Sequence, residues 1–106
     1  MSDSLSRLEA VIRERRTADP TTSYVAKITA RGRKKMAQKL GEEAVETAIA
    51  ALTEGREEMI GESADLLFHL LILLADMDLS LADVCAELDR REGVSGLVEK
   101  ASRPLA

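Results

Sequence analysis

Carboxylates recur at helical spacing in two short segments of the chain. Glu43 and Glu46 lie three residues apart, and Glu62 and Asp65 repeat that spacing. Glu42 adds a further acid, four residues before Glu46. Side chains three or four residues apart leave a helix on the same face. Both segments continue into apolar sequence, so these acids are expected at the edge of a core, where like charges need a partner.

A turn between the two segments brings them together. Gly55 ends one predicted helix and precedes the next, and so short a connection predicts an antiparallel helical hairpin. Glu46 lies nine residues before Gly55 and Asp65 ten residues after it, so the two groups of acids face each other at one depth. A divalent cation would neutralise their repulsion. Ligands that are all oxygen favour Mg²⁺, or Mn²⁺ as a substitute.

Two other interpretations compete with a magnesium site. A di-iron centre in a helical bundle uses Glu-x-x-His pairs, which the single histidine, His69, does not supply, so that centre is excluded. Glutamates on the exposed face of amphipathic helices have the same spacing without binding anything, and this alternative stays open. His69 itself has two possible roles. It hydrogen-bonds Asp65, four residues earlier, and so orients that metal ligand, or it is a core histidine with another polar partner.

Positive charge is concentrated between Lys27 and Lys39. The third predicted helix begins in this segment, where its macrodipole favours anions over cations. The mismatch indicates an anionic partner, although a solvated, lysine-rich helix face has the same pattern. Lys39 lies three residues before Glu42 and four before Glu43, so it can also simply balance the acids.

The elements that must position these residues are predicted to be helices. The chain is rich in Leu and Ala and has one Tyr, one Phe and no Trp, which favours helices over strands. Periodicity, caps and breaks predict helices at 4–16, 24–31, 33–53 and 56–76, and a fifth that begins at Asp78 or Ser80. We expect an all-α fold with one domain, residues 1–106. Its ordered core is about 5–91, and the tail, 92–106, is loosely ordered, with Leu97 and Val98 docking a short turn.

Apolar faces on the hairpin predict an oligomer. The main apolar face of the third helix is expected at Ala37, Gly41, Val45, Ala48 and Leu52. The fourth helix is apolar on every side from Leu66 to Ala75 except at His69, which is typical of an enclosed helix. We therefore expect a homodimer with a four-helix-bundle-like core, unless the first, third and fifth helices cover the fourth unaided. Gly41 and Gly61 indicate either close helix approach or helix breaks.

Composition excludes several classes of protein. The net charge of −4 argues against a nucleic-acid binder. The single cysteine, Cys85, permits no intrachain disulfide and indicates a reducing compartment. The N-terminus lacks the apolar stretch of a signal peptide, and the run at 66–75 is too short to span a bilayer. We expect a cytoplasmic protein with no nucleic-acid or membrane partner.

Three segments carry a resemblance to a known family. They are Ser23-Tyr24-Val25-Ala26-Lys27, Lys39-Leu40-Gly41-Glu42-Glu43-Ala44-Val45-Glu46 and Glu62-Ser63-Ala64-Asp65-Leu66-Leu67-Phe68-His69-Leu70. Together they resemble the phosphoribosyl-ATP pyrophosphohydrolases of histidine biosynthesis, over roughly residues 5–91. The tail at 95–103 is similar to the family's bacterial tail. The acidic pattern alone is shared with the wider all-α nucleotide pyrophosphohydrolase superfamily.

The resemblance implies a reaction and a set of site residues. The reaction is Mg²⁺-dependent hydrolysis of phosphoribosyl-ATP to phosphoribosyl-AMP and pyrophosphate, by a stand-alone form of the enzyme. The superfamily pattern places metal ligands at Glu43, Glu46, Glu62 and Asp65. Glu42 is implied as an extra ligand or as the base that orients the attacking water, so Glu42 and Glu43 are the catalytic candidates. The phosphate-binding candidates are Lys27, Arg33, Lys35 and Lys39.

Two alternative functions follow from the same residues. One is a house-cleaning pyrophosphohydrolase that removes non-standard nucleoside triphosphates, in which only Tyr24 or Phe68 could stack on a base. The other is a helical interaction module without activity, which Mg²⁺ would neither stabilise nor activate.

Overall fold

Five helices follow one another in the computed structural model, which describes residues 3–93. They are α1 (Ser4–Arg15), α2 (Tyr24–Arg31), α3 (Arg33–Thr53), α4 (Arg56–Asp76) and α5 (Leu81–Arg91). The prediction of an all-α fold with five helices is confirmed, and the bounds of α2, α3 and α4 are those predicted. The predictions for Leu97, Val98 and the rest of 94–106 lie outside the described residues.

Local signals explain where the helices begin and end. The Ser23 hydroxyl accepts a hydrogen bond from the Ala26 amide at 3.2 Å, which caps α2. Gly32, between α2 and α3, has φ +95°, a conformation that side-chain-bearing residues rarely adopt. Ser80 is the N-cap of α5 and forms a reciprocal capping box with Asp83. Of the two predicted starts for α5, the Ser80 signal is therefore the correct one.

Helices α3 and α4 form an antiparallel hairpin with the most extensive contact in the fold. The expected apolar face of α3 does not turn toward α4, since Val45 is 58% and Leu52 86% exposed. The stripe that packs inward runs through Glu43, Thr47 and Ala50, at i, i+4 and i+7. The small side chain of Ala50, fully buried, lets the helices approach closely. The sequence pattern therefore identified an apolar face, and the structure shows that Val45 and Leu52 of this face are exposed in the protomer.

The core lies over the C-terminal half of α4. It is formed by Ile12, Val25, Ile28, Met36, Leu71, Ile72 and Ala75. Toward the turn of the hairpin the same helix is open, because Leu67 is 42% and Ile60 56% exposed. The prediction that one protomer does not enclose α4 concerned residues 66–75. In that run Leu67 is exposed, whereas His69, Leu71, Ile72 and Ala75 are buried within the protomer, so the homodimer stays a prediction.

Polar contacts fix the ends of the helices relative to one another. The Leu81 amide, in the first turn of α5, donates to Glu9 of α1 at 2.6 Å. Arg33, at the start of α3, donates to the Asp76 carboxylate at 2.7 Å, at the end of α4. These contacts close the hairpin at the end opposite its turn and attach α5 to α1.

The structure supports neither explanation expected for the two helical glycines, a helix break or close helix approach. Gly41 and Gly61 lie inside continuous helices, and a Cβ at either position would meet no atom within 4 Å. Neither a helix break nor close approach within the protomer accounts for them.

A helix must be both long and apolar to span a membrane. Among residues 3–93, no helix combines the length and apolar character needed to cross a membrane.

Candidate metal centre

Three carboxylates from the two helices of the hairpin converge. Glu43 of α3 and Glu62 and Asp65 of α4 each offer an oxygen, and these oxygens all lie within 4.8 Å of one another. Glu43 is 8% exposed, Glu62 is half-buried and Asp65 is exposed. The two groups of acids thus meet across the hairpin as predicted, but through Glu43, because Glu46, from which the depth was counted, is not among the three. The cluster is open to solvent on the Asp65 side. We call these three residues the acidic cluster.

Two oxygens of the acidic cluster have no partner. Glu43 Oε2 and Glu62 Oε2 are buried and accept no hydrogen bond from residues 3–93. A buried acceptor without a partner costs free energy, and a charged one costs more than a neutral one. A cation between these oxygens would satisfy both, so the acidic cluster has the donor set and the electrostatic demand of a metal site.

Burial and the crowding of carboxylates also raise the pKa values of two residues of the acidic cluster, Glu43 and Glu62. Burial raises the pKa of Glu43, and a hydrogen bond and the charge of Glu46 raise it further. Burial also raises the pKa of Glu62, with the charges of Glu46 and Asp65 acting in the same direction. A metal ion would oppose these shifts, because it favours the ionised form of each ligand.

The other two predicted acids lie beside the cluster and differ from each other. Glu46 is exposed and is not one of the three converging acids, although its charge acts on both Glu43 and Glu62. Glu42 instead accepts hydrogen bonds from Gln38 at 2.8 Å and Lys39 at 3.2 Å. These bonds lower the pKa of Glu42, which makes it a weak base in this arrangement.

A basic pocket adjoins the acidic cluster. Its volume is about 240 Å³, and it is lined by Tyr24, Lys27, Ile28, Arg31, Lys35 and Lys39. Lys39 lies between the two features, because it lines the pocket, donates a hydrogen bond to Glu42 and interacts electrostatically with Glu43 of the acidic cluster. Of the predicted phosphate-binding residues, the structure gathers Lys27, Lys35 and Lys39 here. Arg33 is elsewhere, paired with Asp76.

A hydrogen-bonded chain joins the pocket to the acidic cluster. Tyr24 Oη lies 2.9 Å from His69 Nε2, and His69 Nδ1 lies 2.9 Å from the main-chain oxygen of Asp65. A carbonyl oxygen only accepts, so Nδ1 carries the proton, and in the neutral ring Nε2 accepts from the tyrosine hydroxyl. His69 therefore bonds the main chain of Asp65, not its carboxylate, and it anchors Tyr24 at the pocket wall.

Two residues of this region were missed as site residues in the sequence. Arg31 lines the pocket with Lys27, its neighbour four residues earlier on α2, just as Lys35 and Lys39 are spaced on α3. That spacing of four was the available signal. Thr47 hydrogen-bonds across the hairpin at the level of the acids, and nothing in its sequence context distinguishes it from other helical threonines.

Comparison with known proteins gives one consistent family. Residues 5–92 match the family described as phosphoribosyl-ATP pyrophosphohydrolase. A protein of Rhizorhabdus wittichii named phosphoribosyl-ATP pyrophosphatase is 62% identical over 98% of this chain and 98% of its own length. A protein with the same name from Erythrobacter litoralis is 62% identical over 95% of this chain and 97% of its own length. Another, from Paramagnetospirillum magneticum, is 58% identical over 96% of this chain and 94% of its own length.

Proposed function

This chain belongs to the phosphoribosyl-ATP pyrophosphohydrolase family, and we infer from this membership that it hydrolyses phosphoribosyl-ATP to phosphoribosyl-AMP and pyrophosphate in histidine biosynthesis. The observation that carries the site assignment is the convergence of Glu43, Glu62 and Asp65, with two buried oxygens that find no hydrogen-bond partner among residues 3–93. A helical interaction module would have no need for this arrangement.

We assign the metal as Mg²⁺, with Mn²⁺ as a substitute, held by Glu43, Glu62 and Asp65, with Glu46 as the fourth ligand. The support is chemical: every donor is a carboxylate oxygen, which suits hard cations of this kind. When bound, such an ion neutralises charge on phosphate oxygens and lowers the pKa of a coordinated water. The buried Glu43 fixes the inner edge of the site, and the exposed Asp65 leaves its outer side open to substrate.

The basic pocket is the proposed site for the triphosphate chain. Lys27, Arg31, Lys35 and Lys39 line it, and ammonium and guanidinium groups donate strong, charge-assisted hydrogen bonds to phosphate oxygens. As the oxygen of water bonds to phosphorus and the anhydride bond breaks, negative charge passes to the departing pyrophosphate. Cations already placed along the pocket stabilise that charge without having to reorganise.

The role that we propose for Glu42 is not that of the general base. Its carboxylate holds Lys39 at 3.2 Å, at the boundary between the pocket and the acidic cluster. The two hydrogen bonds that lower its pKa reduce its ability to take a proton from water. We therefore assign Glu42 to positioning Lys39.

The proposed assembly is a homodimer that pairs two hairpins into a four-helix bundle. The support is the apolar surface near the hairpin turn, which we call the hairpin face: Val45, Ile49, Leu52, Ile60 and Leu67, each between 42% and 86% exposed. Contiguous exposed apolar surface of this kind is characteristic of an interface. A second copy presents the same residues, so a two-fold arrangement would bury both faces at once.

The deciding experiment is pyrophosphate release from phosphoribosyl-ATP with Mg²⁺ and with chelator. We expect release only with the metal, and a higher kcat/KM than for any member of a panel of ordinary and non-standard nucleoside triphosphates. A higher kcat/KM on one of those triphosphates would favour a house-cleaning enzyme. Hydrolysis unaffected by complete metal removal would refute the proposed metal centre.

A further inference from the structure

Thr47 makes two hydrogen-bond contacts at the acidic cluster. Its hydroxyl lies 2.8 Å from the main-chain oxygen of Glu43, one turn earlier on α3. The same hydroxyl lies 3.1 Å from the main-chain oxygen of Glu62, on α4. The two carbonyls thus belong to two residues of the acidic cluster, one from each helix. The side chains of the same two residues have buried oxygens without a hydrogen-bond partner in the described part of the chain.

The chemistry of these contacts determines their direction. Both partners are carbonyl oxygens, which only accept, so the single hydroxyl proton of Thr47 is shared between them. The bond to Glu43 is the common back-bond of a helical threonine. The contact with Glu62 is different in kind, because it fixes the main chain of one helix against the main chain of the other.

The hydrogen bond from Thr47 to Glu62 lies where the separation of α3 and α4 determines the distance between two carboxylates of the acidic cluster. Arg33 and Asp76 join α3 and α4 at the open end of the hairpin. Thr47 joins them between that end and the turn, at the level of Glu43 and Glu62. A small change in helix separation there moves the two carboxylates apart, and a metal site tolerates only small errors in ligand position.

We propose that Thr47 is a positioning residue for the metal centre, which sets the separation of the Glu43 and Glu62 carboxylates by tying their main chains together. The inference rests on the proposed function, since it assumes that these carboxylates bind a divalent cation. Groups that orient metal ligands through hydrogen bonds typically change metal affinity by about 10- to 100-fold when removed.

The chain contains a matched control. Thr53, also on α3, donates to the main-chain oxygen of Ile49 at 2.9 Å, which is the same back-bond across one turn. In residues 3–93 no side-chain hydrogen bond from Thr53 to α4 accompanies it. Thr47→Val and Thr53→Val therefore remove the same local hydrogen bond, and only Thr47→Val removes the contact between helices.

The test measures the Mg²⁺ dependence of two quantities in the full chain: the thermal unfolding midpoint and the rate of pyrophosphate release. For Thr47→Val we expect the Mg²⁺ concentration at half-effect to rise about tenfold in both measurements. Thr47→Ser, which keeps the hydroxyl, and Thr53→Val should stay within about twofold of the wild type. At saturating Mg²⁺, kcat should be largely restored in Thr47→Val. Thr47→Ala provides a second variant without the hydroxyl, should valine prevent folding.

The outcomes separate this inference from the proposed function. Two results would overturn the role of Thr47 and leave the metal centre intact. In the first, the Mg²⁺ concentration at half-effect in Thr47→Val or Thr47→Ala equals that of the wild type. In the second, this concentration rises as much in Thr53→Val as in Thr47→Val. Absence of any Mg²⁺ effect on the wild-type protein would overturn the metal centre itself. An increase in Thr47→Val that Thr47→Ser does not rescue would show that side-chain shape is responsible, and the hydroxyl is not.

Discussion

At the scale of single residues, Glu43 shows the conflict that a metal would resolve. It is 8% exposed, faces two further carboxylates, and has one oxygen without a hydrogen-bond partner in residues 3–93. Without an ion, the ionised form of Glu43 therefore destabilises the fold. The ordinary pKa of the group is 4.5, and burial raises the pKa above that value in the folded protein.

The sign of the resulting pH dependence follows from linkage. A carboxyl group with a raised pKa binds its proton more tightly in the folded state than in the unfolded state. Its contribution to stability therefore falls as the pH rises from about 4.5 through the raised pKa. In chelator, Glu43→Gln should unfold at a higher temperature than the wild type at neutral pH, by a few degrees. The difference should shrink toward pH 4.5 in thermal scans.

A comparison on α1 isolates this effect. Glu14→Gln replaces an exposed glutamate outside the acidic cluster and serves as the control, which should not unfold above the wild type in chelator at neutral pH. With Mg²⁺ the order should reverse, because the wild type gains stability from the ion and Glu43→Gln does not. A neutral-pH midpoint for Glu43→Gln below that of the wild type in chelator would contradict the prediction.

At the scale of elements, the break between α2 and α3 decides which cations meet. Lys27 and Arg31 are spaced by four on α2, and Lys35 and Lys39 by four on α3. Gly32 redirects the chain so that both pairs line one pocket. Arg33, one residue after the break, lies on another side and pairs with Asp76.

This placement predicts different defects for two neighbouring cations. Lys35→Ala should raise KM for phosphoribosyl-ATP about 10- to 100-fold, since a hydrogen bond from a charged group contributes roughly 1.5–3 kcal/mol. Arg33→Ala should leave KM within about twofold and lower the unfolding midpoint by a few degrees, because it removes a partly exposed ion pair. Steady-state kinetics and thermal scans on both variants measure these effects. A KM increase in Arg33→Ala equal to that in Lys35→Ala would place Arg33 in the substrate site.

At the scale of the whole molecule, the hairpin face indicates the assembly. Leu52 is 86% exposed, the most exposed large apolar side chain of residues 3–93. It lies on the apolar stripe of α3 that α4 does not cover. A monomer would leave this stripe in water, whereas a second copy would remove it from solvent.

Disruption of the hairpin face should therefore dissociate the protein. We expect sedimentation at micromolar concentration to find a dimer for the wild type and a monomer for Leu52→Glu. Leu88→Glu changes an equally large side chain, 58% exposed on α5 and outside the hairpin face, so it should leave the dimer intact. A monomeric wild type would refute the proposed assembly, and dissociation by Leu88→Glu would show that the interface lies elsewhere.

The sequence by itself determined the features that depend on near neighbours. Helix bounds follow from signals within one turn, such as the Ser23 cap, the left-handed Gly32 and the Ser80 capping box. The meeting of Glu43 with Glu62 and Asp65 was also predictable, because a short turn fixes the depth of residues on both arms of a hairpin. The family motifs further predicted the reaction.

The tertiary structure alone decided what depends on helix rotation and on approach from other elements. Rotation of α3 buries Glu43 and Ala50, half-buries Thr47 and leaves Val45 and Leu52 exposed, although the apolar pattern favoured the reverse. The reason is that contact with α4 selects side chains by size and fit as well as by hydrophobicity. The pairing of Arg33 with Asp76 and the bond of Thr47 to α4 join residues 43 and 15 positions apart, and no local pattern specifies such contacts.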